Sequence, residues 1–220
     1  MDTISHDPQL LGEYQPFGRP LHVWAARAPL PDDERFTAYT SELAEGERAQ
    51  LARIVTGAAR AQFVTGRALA REVLARELRT TRSRIRFAAD ASGRPCLAEP
   101  LGTGIDFNLS HSGRLTLLAV TRGSRVGVDV EQTAVERDFS GVAMGFFSPA
   151  EYEQWSLADT ADRRSLWYRI WTRREAYVKA TGLGLRDIGD DHHGRGSAWV
   201  DIALEPAPGH VGCAVLLNRP

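Results

Sequence analysis

The chain has 220 residues, room for one large domain or two smaller ones of about 100 residues each. Its 27 Lys and Arg nearly cancel its 28 Asp and Glu, so no whole-molecule field points to nucleic acid. Two cysteines, Cys96 and Cys213, stand far apart, which argues against a disulfide framework and fits a reducing cytoplasm. The N-terminal stretch MDTISHDPQL lacks the basic start and apolar run of a signal peptide. No apolar run approaches the ~20 residues of a membrane span. The expectation is a cytoplasmic protein with neither a membrane nor a nucleic-acid partner.

Residues 1–20 hold Pro8, Pro16 and Pro20 with little periodicity, and predict an irregular surface arm. A short strand is expected over 21–26 (LHVWAA), then a helix over 32–43 that opens on acids. From 45 to 78 the pattern is helical. Leu51, Ile54 and Val55 fit one face, Gly57 divides two helices, and Leu69, Val73, Leu74 and Leu78 keep helical spacing in the second. Arg60 and Arg67 lie seven apart, hence on one face, with Phe63 between them. Spacing alone favours a solvated basic face over a phosphate clamp. A strand over 85–88 and a turn at Ser92-Gly93-Arg94-Pro95 follow. Residues 98–104 (AEPLGTG) are the best boundary, giving an N-terminal half 1–104 and a C-terminal half 105–220.

The C-terminal half opens on FNLSHSGRLTLLAVTRGSRVGVDVE, residues 107–131. Strands are expected over 107–110 and 115–120, with a hairpin loop at 121–124 leading into a strand over 126–131. That last strand alternates: Val126, Val128 and Val130 on one side, Gly127, Asp129 and Glu131 on the other. The valine side suits a core. The other side carries two carboxylates roughly 7 Å apart along the strand, which repel unless a cation sits between them; Mg²⁺ fits. Gly127 beside them leaves room for a ligand to approach the backbone.

Ser148-Pro149-Ala150-Glu151 is a helix start with a capping box, and Phe146 and Phe147 precede it. The strongest helical pattern covers 162–180. Leu166, Ile170 and Tyr177 fit a buried stripe, while Trp167, Trp171, Glu175 and Lys179 march at four-residue steps beside it. Thr181-Gly182 supplies a C-cap. Asp190-Asp191-His192-His193-Gly194 reads as a polar loop, because contiguous ligands need special turn geometry to converge on one ion. Two final strands are expected over 198–204 and 211–217.

Asp129 and Glu131 need a third oxygen ligand, and Glu175 on the long helix is the best candidate. Lys179, one turn on, would face phosphates that the metal brings. His111, in a Ser-His-Ser-Gly turn, would add imidazole and backbone contacts to an anion; alone it would be a structural histidine. Together Asp129, Glu131, Glu175, Lys179 and His111 read as a Mg²⁺-phosphate site between a hairpin and a helix. Such a site would also serve another Mg²⁺-dependent phosphoryl enzyme, such as a phosphodiesterase acting on nucleotides, or a module that binds without turnover.

SH-S-G, then G-V-D-V-E, then W-x-x-x-E-A-x-x-K-A resembles the 4′-phosphopantetheinyl transferases of the larger surfactin-activating (Sfp) type, over about residues 21–185. The resemblance implies an α+β, pseudo-twofold monomer of two similar halves with the active site in the cleft between them. It implies transfer of the phosphopantetheine arm of coenzyme A to a serine of an apo acyl- or peptidyl-carrier protein, releasing 3′,5′-ADP, with Mg²⁺ or alternatively Mn²⁺. By motif position, Asp129, Glu131 and Glu175 match the metal carboxylates, Lys179 the phosphate lysine, and Ser110 and His111 the residues near the diphosphate and 3′-phosphate. Arg94 matches a basic position of the coenzyme site. Arg60 and Arg67 match an arginine pair used on the 3′-phosphate, which reverses the solvated-face reading. Arg174 stands where many members have lysine. Carriers of this kind are acidic helical bundles, so Met144 to Phe147 is a candidate apolar dock, with Arg163, Arg164 or Arg169 as charge partners.

Overall fold

The computed structural model describes residues 4–90, 93–98, 104–134, 137–185 and 198–218. The loop 190–194 and most of the stretch 98–104 therefore lie outside the described residues. The architecture is mixed α and β with antiparallel sheets, in agreement with the α+β expectation.

The strands sort into a four-stranded sheet, a small pair and a three-stranded sheet. The first contains β1 (Gln9–Tyr14), β2 (Leu21–Arg27), β6 (Leu115–Arg122) and β5 (Ile105–Ser112), in that order. The small pair is β3 (Phe87–Ala89) with β4 (Pro95–Leu97). The second large sheet contains β7 (Val126–Gln132), β9 (His210–Leu217) and β8 (Trp199–Leu204). The two large sheets face each other across one core. Val126, Val128, Val130 and Leu216 of the second meet Leu21, Val23, Leu115 and Leu117 of the first, all buried. Each such side chain contributes about 1.5–3 kcal/mol when fully buried, so the valine stripe fixes which face of β7 turns inward.

Helices cover the two outer faces. Ahead of them α1 (Glu34–Ser41), capped by the Asp33 carboxylate, and α2 (Glu45–Arg53) lead into α3 (Gly57–Glu77). Leu69, Val73 and Leu74 of α3 pack on Leu118, Val120 and Phe107 of the first sheet. After β7 come α4 (Phe139–Phe146), α5 (Pro149–Ser156) and α6 (Thr160–Thr181). Ala176 and Ala180 of α6 pack on Cys213, Val215 and Leu217 of the second sheet. The capping box at Ser148 and Glu151 forms, and Gly182 ends α6 at φ 78°.

Three sequence expectations are corrected. The N-terminal arm is not irregular: β1 pairs with β2 across a bulge between Leu10 and Gly12. The hairpin is one strand earlier than expected. It joins β5 to β6 through Gly113 (φ 57°) and Arg114, with Ser112 opposite Leu115, so His111 lies in a strand rather than a turn. The 121–124 turn instead carries the chain between sheets, because β6 pairs with β2 and β5 while β7 pairs with β9. Sheet partners change after β6, while the β2–β6 pairing spans residue 104. Helix α4 was not foreseen.

Strand β7 is the edge of its sheet, so its outward N–H groups need acceptors from elsewhere. The parallel-running edge β5 supplies them from side chains, at a constant register. Val126 N–H donates to Asp106 Oδ2 (2.7 Å), Val128 to Asn108 Oδ1 (2.9 Å), Val130 to Ser110 Oγ (3.3 Å) and Gln132 to Ser112 Oγ (2.9 Å). The period of two puts all four polar side chains on one side of β5.

Candidate active site

This side-chain ladder brings β5 hydroxyls to the acids of β7. Ser110 Oγ donates to Asp129 Oδ1 at 2.9 Å, and Ser112 Oγ to Glu131 Oε2 at 3.0 Å. Helix α6 then closes on β7 from the other side. A Cβ on Gly127 would lie 1.9 Å from the Ala176 carbonyl oxygen and 2.6 Å from the Ala180 nitrogen. Gly127 therefore admits the backbone of α6, not a ligand as the sequence suggested. Small residues on both elements let Glu175 and Lys179 reach β7.

Lys179 Nζ has three acceptors, one for each of its protons: Asp129 Oδ1 at 2.7 Å, Ser110 Oγ at 3.0 Å and the Val128 carbonyl at 3.2 Å. The ion pair that forms is thus with Asp129 across the interface rather than with Glu175 one turn back. Ser110 is buried with its proton and both lone pairs engaged. Glu175 has its carboxyl pushed above the ordinary range by burial, then by the neighbouring Asp129 and Glu131, with Lys179 offsetting in part. His111 is open to solvent on one side, yet the groups crowded around it desolvate its imidazole and, with the Lys179 charge, push its pKa down. At neutral pH it is an uncharged donor or acceptor.

The donor chemistry fits a hard divalent cation. Asp129 Oδ2 is buried with no hydrogen-bond partner, and the Glu175 carboxyl is raised first by burial and then by the neighbouring acids. Glu131 is placed differently. Its Oε2 accepts from Ser112 and from Arg137 Nη2 (2.5 Å), and its Oε1 from Trp171 Nε1 (3.2 Å). Among the described residues no three His, Cys, Asp or Glu side chains stand as a ready-made metal cluster. Asp129 Oδ2 is left open, Glu175 lies near enough to Asp129 and Glu131 to feel their charge, and Glu131 is already gripped by protein donors.

The raised Glu175 pKa carries a stability consequence. Above that raised value the ionised carboxylate costs folding free energy; below the ordinary carboxylate range both states are protonated and the cost vanishes. Without divalent ions, Glu175→Gln is expected to melt higher than wild type near pH 7. The gain should fade as pH falls toward about 4. Thermal scans across pH check this; a variant that melts lower at neutral pH contradicts the crowding account.

The predicted basic residues divide. Arg67 lines a cavity of about 190 Å³ together with Phe63, Pro95, Leu109, His111 and Thr116. Its guanidinium stacks 5.2 Å from Phe63 and 5.0 Å from Phe87 and pairs with buried Glu47 at 3.3 Å. Thr116 Oγ1 and Arg67 Nη1 are buried there without partners. Arg60 instead donates to the Leu51 carbonyl at 2.9 Å and does not line the cavity. Arg94 is an internal clamp. It bonds Asp106 Oδ2 (2.8 Å) and the carbonyls of Phe107 (2.6 Å), Val126 (2.7 Å) and Lys179 (2.7 Å), tying β5, β7 and α6 together. Coenzyme contact by Arg94 would compete with those bonds. Arg174 is buried on Glu151 of α5 at 2.5 Å, away from the acids.

Near α4, Met144 is 67% exposed, Phe146 meets Trp171 edge-on, and Phe147 is core against Trp155 and Trp167. Arg163 and Arg164 donate to backbone carbonyls, whereas Arg169 is exposed. Sequence reasoning missed Asp106, Asn108, Ser112, Arg137 and the indole of Trp171. The alternation of polar residues in DFNLSHS was a visible signal for the first three. Nothing local marked Arg137.

Comparison with known proteins gives the family. Residues 28–123 match the family description "4′-phosphopantetheinyl transferase, N-terminal", and residues 125–212 match "4′-phosphopantetheinyl transferase superfamily". The 4′-phosphopantetheinyl transferase HetI of Nostoc sp. is 31% identical over 188 residues, covering 84% of this chain and 75% of that protein. The 4′-phosphopantetheinyl transferase Sfp of Bacillus subtilis is 29% identical over 153 residues, covering 68% and 65%. A human L-aminoadipate-semialdehyde dehydrogenase-phosphopantetheinyl transferase is 29% identical over 131 residues, covering 56% of this chain but 42% of that protein. The switch from one match to the next falls at the turn where the chain leaves one sheet for the other. The three motifs meet around Asp129 and Lys179 within the matched stretch, and the chain belongs to the 4′-phosphopantetheinyl transferases, as an enzyme with Sfp-type relatives.

Proposed function

We propose that this transferase moves the 4′-phosphopantetheine arm of coenzyme A onto a serine of an apo acyl- or peptidyl-carrier protein, with Mg²⁺ and with release of 3′,5′-ADP, acting as a cytoplasmic monomer. The observation that carries the reading is the meeting of Lys179, Asp129 and Glu175 at the β5–β7 seam, with one buried carboxylate oxygen left open. The seam joins two units, each a helix on an antiparallel sheet, which supports a pseudo-twofold arrangement with the site between its halves.

Asp129 and Glu175, with Glu131 beside them, would hold the ion; when bound it would supply charge neutralisation at the diphosphate. The carrier serine oxygen attacks the phosphorus bearing pantetheine, and the bond from that phosphorus to the bridging oxygen of the diphosphate breaks. Glu175, on the helix that faces β7, would take the serine proton or orient a water that does. Lys179 keeps a positive charge beside the developing one, and neutral His111 offers a hydrogen bond. The cavity lined by Arg67 and His111 would take the nucleotide end, with Arg67 on its 3′-phosphate. Exposed Met144 and neighbouring Phe146 form the apolar part of the carrier dock, with Arg169 nearest to a free charge partner.

The test is one incubation of protein, coenzyme A, Mg²⁺ and an apo carrier, read by intact mass. The carrier should gain one phosphopantetheine, and chelation should stop the gain. Release of nucleotide without modified carrier overturns the transfer reading. Within it, Arg67→Gln should raise the KM for coenzyme A about tenfold or more while leaving that for 3′-dephospho-coenzyme A little changed. Arg60→Ala should do much less, because Arg60 points to Leu51. Equal effects of Arg67→Gln on both substrates remove the 3′-phosphate assignment.

A further inference from the structure

Glu131 is held by donors from three separate elements. Ser112 belongs to β5, Arg137 to the segment ahead of α4, and Trp171 to α6. Two of these donors are themselves braced. The Trp171 ring stacks on Trp167 at 5.5 Å and 17°, with Phe146 edge-on at its other contact. The Arg137 guanidinium sits 6.0 Å from the Tyr168 ring. A carboxylate has about four lone-pair sites. Oε2 accepts two bonds and Oε1 one, which leaves a single lone pair on Oε1. Asp129, by contrast, keeps a whole oxygen open. Charge gives a second reason for Arg137. Lys179 answers Asp129, but Glu131 and Glu175 would otherwise stand unneutralised beside it.

We propose that Arg137 and Trp171 are positioning residues of the active site: together they fix the Glu131 carboxylate, so that one lone pair of Oε1 remains for a cation held with Asp129 and Glu175. The inference rests on the ion reading given above. It assigns work to two side chains through the carboxylate that they orient. Trp171 does this with its N–H, independently of its ring packing. Arg137 does it with charge and a planar fork that lysine lacks.

The experiment measures Mn²⁺ uptake by electron paramagnetic resonance, in the presence of coenzyme A and without carrier, so that no turnover occurs. Trp171→Phe keeps the aromatic packing and deletes the N–H. Arg137→Gln deletes the charge, and Arg137→Lys restores it without the fork. Trp171→Phe and Arg137→Gln are each expected to weaken Mn²⁺ binding by about 10- to 100-fold, with Arg137→Lys in between and melting temperatures close to wild type. Wild-type affinity in Trp171→Phe overturns the role of the indole, even if Arg137→Gln fails to fold. Wild-type affinity in Arg137→Gln overturns the role of the guanidinium. A wild-type protein that takes up no Mn²⁺ overturns the underlying ion reading, which the variants alone would not.

Discussion

Replacing Asp129 by Asn is expected to lower phosphopantetheine transfer by about 10³-fold or more, with little change in melting temperature. The amide keeps an oxygen for the bonds from Ser110 and Lys179, which reach Asp129 Oδ1 at 2.9 and 2.7 Å. What it loses is the charge, and the open Oδ2 becomes an N–H₂ group that repels a cation. Alanine is the poorer probe. It would remove the oxygen that both the hydroxyl of buried Ser110 and the Lys179 ammonium use as acceptor, at a cost of about 2 kcal/mol. That estimate is kept low because the Lys179 side chain is 27% exposed. The measurement is the rate of mass gain on an apo carrier, paired with thermal melting. Transfer within tenfold of wild type, by a folded Asn variant, would remove Asp129 from the chemistry.

The second large effect is on the fold. Gly127→Ala places a methyl group 1.9 Å from the Ala176 carbonyl and 2.6 Å from the Ala180 nitrogen. Both obstacles are helix backbone, so no rotamer change relieves them. Either α6 moves off β7 or the strand bends. A loss of about 3 kcal/mol or more is expected, corresponding to a melting temperature lower by roughly 6–12 °C. Any outward shift of α6 also withdraws Glu175 and Lys179 from Asp129, so activity should fall even where the variant still folds. A Gly127→Ala protein with wild-type melting and activity would contradict the close approach. The same substitution at Gly46 of α2, where an added Cβ would meet nothing within 4 Å, is the matching control.

These two expectations differ in how visible they were. The carboxylates of GVDVE declared themselves through alternation, since a strand with valines inward must put Asp129 and Glu131 on its other face. The helix of 162–180 and the capping box at Ser148 were equally plain, because local spacing and local hydrogen bonds specify them. Gly127 was noticed but misread. The sequence shows that a side chain is missing there, and cannot show what fills the space. By motif position Arg94 matches a basic position of the coenzyme site, and Arg174 stands where many members have lysine. Tertiary packing gave Arg94 four internal acceptors and buried Arg174 on Glu151.

From its order of residues alone the protein declared an α+β chain, a family, and one strand and one helix bearing the acids and the lysine. Those properties are local or lie within single motifs. Tertiary structure decided that Lys179 answers Asp129 rather than Glu175, that β5 bonds β7 through side chains, and that Arg137 and Trp171 hold Glu131. Each depends on groups far apart along the chain whose pairing is set by which buried polar atom still lacks a partner. That demand is settled only when the sheets and α6 have packed together.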